Sequence, residues 1–223
     1  MGFDIAIDGP AGAGKSTIAR AVAGKLGFIY VDTGALYRAV GLYMLKHEIP
    51  IEDRTRVSEA LPEITVDLEY RDQEQQVLLC GENVTPLLRT QEVGEAASVT
   101  SAYPEVRSKL LSLQRELAKR YDAVMDGRDI GTVVLPDAGL KIYLTADSRI
   151  RAKRRFDELI RKGEAAVYEQ VLKEVEERDY RDMHRETAPL KLAEDAVLLD
   201  TSFMTEEEVE TCVFAMVREK NHA

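Results

Sequence analysis

Cysteine is scarce in this sequence, which contains only Cys80 and Cys212. The two lie far apart and neither belongs to a C-x-x-C or His-rich pattern, so the sequence indicates neither a zinc site nor a disulfide framework. We expect two thiols in a reducing compartment. An apolar run of about 18 residues is also missing, as is a basic segment followed by an apolar signal core, so we predict no contact with a membrane and a cytoplasmic location.

The chain also has fewer basic residues than acidic residues. The chain has 40 acidic residues against 30 Lys and Arg, for a net charge of -10. A protein that coats nucleic acid must turn positive charge toward the phosphates, so we predict no nucleic-acid partner. A small anionic substrate needs only a local positive pocket. The length of 223 residues, with 45% hydrophobic residues, suits a globular chain of one domain or one domain with an insertion.

Short apolar runs predict parallel strands that are separated by helices. The runs are apolar nearly throughout instead of alternating, as expected for strands covered on both faces. The predicted strands are Phe3–Asp8, Phe28–Asp32, Ala123–Asp126, Lys141–Thr145 and Ala196–Asp200. The predicted helices are Ser16–Lys25, Ala35–His47, Pro104–Lys119, Ser148–Lys162 and Thr205–Lys220. This alternation predicts an α/β fold whose open five-stranded parallel sheet is flanked by helices.

An acidic, less regular segment from Pro50 to Leu88 interrupts the alternation. Ile64–Tyr70 and Gln76–Cys80 look like two strands of a hairpin, and Gly81–Asn83 looks like a second turn leading into a strand at Val84. We therefore predict an antiparallel insertion of three short strands attached to the main sheet.

A glycine-rich loop follows the first predicted strand and opens the first predicted helix. Gly9–Ser16 matches G-x-x-x-x-G-K-[ST] in full, in the context that this motif requires. Its backbone N–H groups and the helix N-terminus favour phosphate oxygens, Lys15 would reach the β and γ phosphates, and Ser16 would ligate Mg²⁺. The motif predicts a nucleoside triphosphate site. The predicted ATP-binding residues are Gly9, Pro10, Ala11, Gly12, Ala13, Gly14, Lys15, Ser16 and Thr17.

Arginines recur near the predicted strand ends and in the charged segment 151–185, where their planar forks would suit a second phosphate group. Arg178, Asp182 and Arg185 share one face of a predicted helix. From spacing alone, a solvated helix of ion pairs such as Glu174–Arg178 is the better explanation. The run Asp126–Thr132 follows a buried strand, and Asp126 could support Mg²⁺ through water.

These motifs together resemble those of the bacterial cytidylate kinase family, which belongs to the nucleoside monophosphate kinases. The resemblance covers essentially the whole chain, with 50–80 matching only in length and character. The matching motifs are Gly9–Ser16, Asp32–Arg38, Thr90–Val93 with Ala96–Ser98, Pro104–Arg107, Asp126–Thr132, Arg178–Arg185 and Ala188–Leu190. The resemblance implies a P-loop kinase fold with a small antiparallel β insertion and a helical lid. It also implies ATP-dependent conversion of CMP, and of dCMP, to the diphosphate, with Mg²⁺ as cofactor.

The resemblance further implies roles for individual residues. The clamp on the acceptor phosphate is Thr33, Arg38, Arg128 and Arg178; the pocket for cytosine and its sugar is Ser98, Arg107, Asp182 and Arg185; Tyr37 and Asp129 complete the CMP-binding set. The catalytic set is Lys15, Arg128, Asp129, Arg154 and Arg178, with Arg154 as a lid arginine. Asp182 is the natural acceptor for the cytosine N4 amine and would repel the uracil oxygen. We expect a core of residues 1–37, 99–147 and 186–223, a monophosphate-binding region of 38–98, a lid with its arginine-rich helix at 148–185, and a monomer.

Two alternatives remain open at this level. A P-loop kinase of a small alcohol would need a carboxylate at the acceptor, and Asp32 or Asp129 could serve. A nucleotide-binding switch protein would need an Asn-Lys-x-Asp motif after a strand, and the Lys141 strand ends instead in Leu-Thr-Ala-Asp.

Overall fold

The computed structural model describes residues 3–71 and 74–221. Numbered in chain order, the strands are β1 Ile5–Asp8, β2 Ile29–Asp32, β3 Val66–Arg71, β4 Glu74–Leu79, β5 Glu82–Asn83, β6 Ala123–Gly127, β7 Leu140–Thr145 and β8 Val197–Asp200. The helices are α1 Lys15–Leu26, α2 Thr33–Lys46, α3 Arg54–Ala60, α4 Gln91–Thr100, α5 Pro104–Arg120, α6 Ser148–Arg161, α7 Tyr168–His184 and α8 Glu206–Asn221. A π-helical turn at Ile130–Val134 follows β6. Within these residues, no helix is both long enough and apolar enough to cross a membrane.

The main sheet has five parallel strands, as predicted, and their order is β2-β6-β1-β7-β8. Every residue of β1 is buried, because helices cover both faces. Ile5 and Ile7 pack against α1 and α8, whereas Ala6 turns to the opposite face and packs with Val31 and Met125. The carboxyl ends of β1, β2 and β6 therefore share one edge, where Asp8 and Asp32 end their strands and Asp126 is the penultimate residue of β6.

The prediction that the insertion is attached to the main sheet is wrong. β3, β4 and β5 form their own antiparallel sheet, because the apolar residues Val66, Val77 and Leu79 pack against α2. The insertion touches the main sheet through side chains, and Asp32 N donates to Gln75 Oε1 at 2.8 Å. Asp72 and Gln73 of the predicted hairpin turn lie outside the described residues.

The predicted third strand also begins earlier than expected. Cys80 and Gly81 adopt positive φ angles of 50° and 85°, which makes a two-residue hairpin turn. Pairing resumes at once, with Leu79 opposite Glu82, so Glu82–Asn83 is strand instead of turn.

The charged segment after β7 folds into the two packed helices α6 and α7. The Asp147 side chain accepts from Arg149 N at the start of α6, as an N-cap does. Gly163 follows the helix with a φ of 77°. Helix α7 carries Arg178 and Asp182 toward the carboxyl edge of the main sheet, and Arg185 follows directly after the helix.

Candidate active site

The loop Gly9–Ser16, called the phosphate loop below, leaves β1 in a conformation that only glycine permits. Gly9 has a φ of 150°, and a Cβ there would lie 1.9 Å from the carbonyl oxygen of Leu144 on β7. Gly14 has a φ of 89° and precedes α1. Lys15, the first residue of α1, is 5% exposed, and its Nζ donates to the Pro10 carbonyl at 2.8 Å. The loop thus wraps around its own lysine at a helix N-terminus, a geometry suited to phosphate.

The carboxyl end of β6 places Asp126 beside this loop. Ser16 Oγ donates to Asp126 Oδ2 at 3.0 Å, and the Tyr30 hydroxyl donates to Oδ1 at 2.9 Å. Burial and the neighbouring charge of Asp32 raise the pKa of Asp126, whereas burial and Arg128 lower the pKa of Lys15. The Ser16 hydroxyl donates its proton to a carboxylate, so its lone pairs remain free to ligate a cation. These residues would therefore fit Mg²⁺, whose other ligands would be phosphate and water oxygens.

Two guanidinium groups meet opposite the phosphate loop. Arg128 Nε donates to Asp182 Oδ2 at 2.7 Å. Burial would raise the pKa of Asp182, but Arg128 and Arg178 outweigh it and the net shift is downward. Arg178 differs from Arg128 because its Nε is buried without a hydrogen-bond partner among the described residues. Burial and the like charge of Arg128 lower the pKa of Arg178 to about 10. Arg178 is therefore a buried cation close to another cation, and a bound anion would stabilise it.

Behind this pair lies a second charged cluster. Arg107 forms a buried, hydrogen-bonded ion pair with Asp129, and Arg185 lies 3.5 Å from the same carboxylate. The Arg107 guanidinium also lies 5.3 Å from the centre of the Tyr37 ring. Arg185 is held further by the Ala188 carbonyl, which its Nη2 reaches at 2.6 Å. The cluster would present a rigid polar wall to a planar base.

The remaining predicted residues take up different positions. Thr33 is buried and donates to the Asp126 carbonyl at 2.7 Å, and Ser98 Oγ is buried without a partner among the described residues. Arg38 lies 3.7 Å from Asp32, close enough to Arg178 for its charge to lower the Arg178 pKa. Arg154 is not brought into the arginine cluster: it donates to the Thr201 carbonyl at 2.8 Å, after β8.

Thr17 lies on the exposed side of α1, one position after Ser16. Its contact with ATP stays a prediction, as do the individual roles of the other predicted residues.

Sequence reasoning missed three buried charged residues around the site. Asp8 accepts from Ile130 N and Gly131 N, both at 2.7 Å. Arg151 and Asp179 form a 2.7 Å ion pair beside the phosphate loop. A signal existed for two of them, since Asp8 ends a predicted strand and Asp179 lies in the Arg178–Arg185 motif, whereas Arg151 lies in none of the motifs. The partners of all three are distant in sequence.

Comparison with known proteins shows to which family this chain belongs. The sequence model of the cytidylate kinase family matches residues 5–219. The chain belongs to the cytidylate kinase family. It is 52% identical over 207 residues to the cytidylate kinase of Caldicellulosiruptor bescii, covering 93% of this chain and 92% of the relative. It is also 46% identical to the cytidylate kinase of Ligilactobacillus salivarius, covering 99% of this chain and 98% of that one.

The likeness to solved structures concerns the fold. An uncharacterized protein from Eubacterium ventriosum superposes with a TM-score of 0.54 at 11% identity, covering 97% of this chain and 98% of that one. With the phosphate loop between β1 and α1 of a parallel sheet, the P-loop kinase fold expected of a cytidylate kinase family member is confirmed.

Proposed function

We propose that this member of the cytidylate kinase family binds Mg·ATP on the phosphate loop and CMP on the arginine side. The γ-phosphoryl group of ATP passes to the phosphate of CMP, giving ADP and CDP. The observation that carries this assignment is Arg178, a buried guanidinium whose Nε lacks a partner among the described residues and which stands beside Arg128. A phosphate dianion offers the negative charge and the acceptor oxygens that Arg178 lacks among the described residues, and it would lie close to Arg128 as well.

The transfer needs positioning and charge neutralisation more than proton removal. The CMP phosphate is largely dianionic near neutral pH, because the second pKa of a phosphomonoester is about 6. Lys15 lies within electrostatic reach of both Arg128 and Arg178. These three cations would lower the repulsion between the two anionic groups and stabilise charge on the moving phosphoryl group. Mg²⁺, held by the Ser16 hydroxyl and supported by Asp126, would supply further charge neutralisation.

Two buried carboxylates, those of Asp182 and Asp129, would distinguish cytosine from uracil. We propose that Asp182 accepts from the cytosine N4 amine, where uracil would present an oxygen instead. Asp129 is the second carboxylate of the pocket, held between Arg107 and Arg185. A site built around that hydrogen bond rejects the wrong base because its own buried acceptor is then left unpaired.

The alcohol-kinase alternative is disfavoured by the same contacts. Such an enzyme needs a carboxylate free to accept a hydroxyl proton. Asp32 accepts from Ala35 N at 3.0 Å as the cap of α2, and Asp129 is paired with two guanidinium groups.

A coupled ADP-release assay tests the proposal with CMP, dCMP, UMP, shikimate and gluconate as acceptors. We expect CMP and dCMP to accelerate ADP release and the alcohols to leave it at the background rate. If no monophosphate accelerates ADP release, the function is wrong.

The assignment of the base-reading carboxylate is tested by Asp182→Asn with Asp129→Asn as its counterpart. An amide can donate to the uracil oxygen, so we expect Asp182→Asn to lower the ratio of kcat/KM for CMP over UMP at least about tenfold. If only Asp129→Asn lowers the ratio, Asp129 reads the base and our assignment of Asp182 is wrong.

Cofactor, assembly and location belong to the same proposal. We propose Mg²⁺ as the metal that accompanies ATP, a monomer as the active unit and the cytoplasm as its compartment. The net charge of -10 is compatible with small nucleotides as partners and disfavours nucleic acid.

A further inference from the structure

Arg151 joins three separate parts of the molecule. It lies near the start of α6, is 5% exposed, and uses each nitrogen of its guanidinium on a different partner. Its Nε donates to the Ala146 carbonyl after β7 at 2.7 Å, and its Nη1 donates to the Ala11 carbonyl of the phosphate loop at 3.0 Å. Its Nη2 lies 2.7 Å from Asp179 Oδ2 on α7. A planar fork can satisfy three acceptors in fixed directions, which an ammonium group on a flexible chain does poorly.

The contact with Ala11 bears directly on the triphosphate site. The carbonyl of Ala11 and the N–H of Gly12 belong to the same planar trans peptide, so they point in opposite directions. By holding the carbonyl on one side, Arg151 orients the Gly12 N–H toward the other side of the loop. Gly12 also packs closely on α6, since a Cβ at that position would lie 3.3 Å from the Arg151 Cβ.

The contact with Asp179 bears on the acceptor site. Asp179 directly follows Arg178 in α7 and precedes Asp182 by about one turn. It is 8% exposed, and its Oδ1 has no hydrogen-bond partner among the described residues, so Arg151 supplies its one side-chain ion pair there. The register of α7, and with it the position of Arg178 and Asp182, is therefore tied through one guanidinium to the phosphate loop.

We propose that Arg151 and Asp179 are positioning residues that couple the two nucleotide sites. ATP on the phosphate loop fixes the Ala11–Gly12 peptide, Arg151 transmits that order to Asp179, and α7 is held where Arg178 and Asp182 receive CMP. Each nucleotide then binds more tightly when the other is present. The first nucleotide to bind orders the shared contact, so the second binds without that entropic cost. This inference rests on the proposed function, since it requires both nucleotides to bind.

Calorimetric titration of CMP tests the coupling, with and without saturating Mg²⁺ and the non-hydrolysable analogue AMP-PNP. For the unaltered protein we expect the analogue to tighten CMP binding at least about fivefold. In Arg151→Lys and Asp179→Asn we expect less than about twofold tightening, with CMP affinity in the absence of the analogue changed much less. The matched control is Arg155→Lys on the same helix, because Arg155 is 36% exposed and its one ion pair within the described residues is with Glu158 of α6.

The outcomes separate this inference from the proposed function. If the unaltered protein binds both nucleotides without mutual enhancement, or if both variants keep the full enhancement, the coupling role is wrong and the function stands. If the unaltered protein does not bind CMP at all, the function itself fails. If Arg151→Lys does not fold, as judged by its thermal transition, Asp179→Asn decides, because its amide oxygen can still accept from Arg151 while the ion pair is gone.

Discussion

The triphosphate end and the acceptor end of this site are built in opposite ways. The triphosphate end is one stretch of consecutive residues, Gly9–Ser16, whose ligands are mainly backbone N–H groups at a helix N-terminus. The acceptor end collects side chains from α2, α4, α5, the turn after β6, and α7. Most of its charged side chains already form ion pairs, as in Arg128–Asp182 and Arg107–Asp129, whereas Arg178 forms none within the described residues.

The difference teaches how each anion is recognised. A backbone cradle is uncharged and costs little to leave empty, because its N–H groups can bind water. Buried guanidinium groups must be balanced in the free protein, and carboxylates provide most of that balance. Arg178, whose charge is the least balanced, then marks where the phosphate of the acceptor would bind.

The largest expected effect comes from Lys15, a cation of the triphosphate end that lies within electrostatic reach of the acceptor end. Lys15→Ala removes a cation that faces the triphosphate and lies near Arg128, so we expect kcat to fall about 10²–10³-fold. Steady-state turnover with saturating CMP measures this fall. Lys25→Ala on the same helix, whose side chain is 60% exposed and pairs with Glu210, should leave kcat unchanged. Turnover of Lys15→Ala within threefold of the unaltered protein would contradict the role of the loop lysine.

A smaller and more selective effect is expected at the acceptor end. In Arg178→Ala the KM for CMP should rise about 30- to 100-fold, because a desolvated charge contact of this kind is worth roughly 2–3 kcal/mol. The dissociation constant for AMP-PNP should change less than the KM for CMP does. The thermal midpoint should hold or rise, since the burial of Arg178 beside Arg128 costs stability in the free protein.

Lys173→Ala on the exposed side of α7 is the matched control, and its KM for CMP should not change. A fall in thermal midpoint for Arg178→Ala, with the KM for CMP unaltered, would make Arg178 a structural residue and remove the contrast between the two ends.

The smallest effect concerns Asp8, which ends β1 and holds the turn after β6. Burial raises the pKa of Asp8 from an ordinary 3.8 to about 6, and the N–H groups of Ile130 and Gly131 offset part of that rise. A raised folded-state pKa contributes stability that is present below pH 3.8 and is lost as the pH rises through about 6. We expect the free energy of unfolding, relative to Asp8→Asn, to fall by at most about 3 kcal/mol over that interval.

Denaturant unfolding of both proteins between pH 4 and pH 8 measures this difference, and the titration of other groups cancels in it. Asp137→Asn, at an exposed aspartate, is the matched control. A difference for Asp8→Asn that does not change with pH, or that rises with pH, would show that Asp8 is not a destabilised carboxylate at the junction of the two ends.

The sequence predicted the elements of the main sheet well, because buried parallel strands are nearly all apolar and their helices are amphipathic. It misplaced the insertion, since an antiparallel hairpin can pair with a sheet edge or pack on a helix, and Val66, Val77 and Leu79 look the same in both cases. It named Arg178 and Asp182 but not Arg151, because a guanidinium that holds two backbone carbonyls leaves no pattern of spacing.

The amino-acid sequence alone determined the phosphate loop and the α/β order, since both depend on neighbouring residues: glycine conformations, a helix N-terminus and the period of apolar side chains. Only the tertiary structure decided which charges face one another. It paired Arg128 with Asp182, left the Arg178 Nε without a hydrogen-bond partner among the described residues and placed Arg154 against Thr201. The reason is that Coulomb energy and burial depend on distance in space, and residues far apart along the chain become neighbours only when the strands and helices pack.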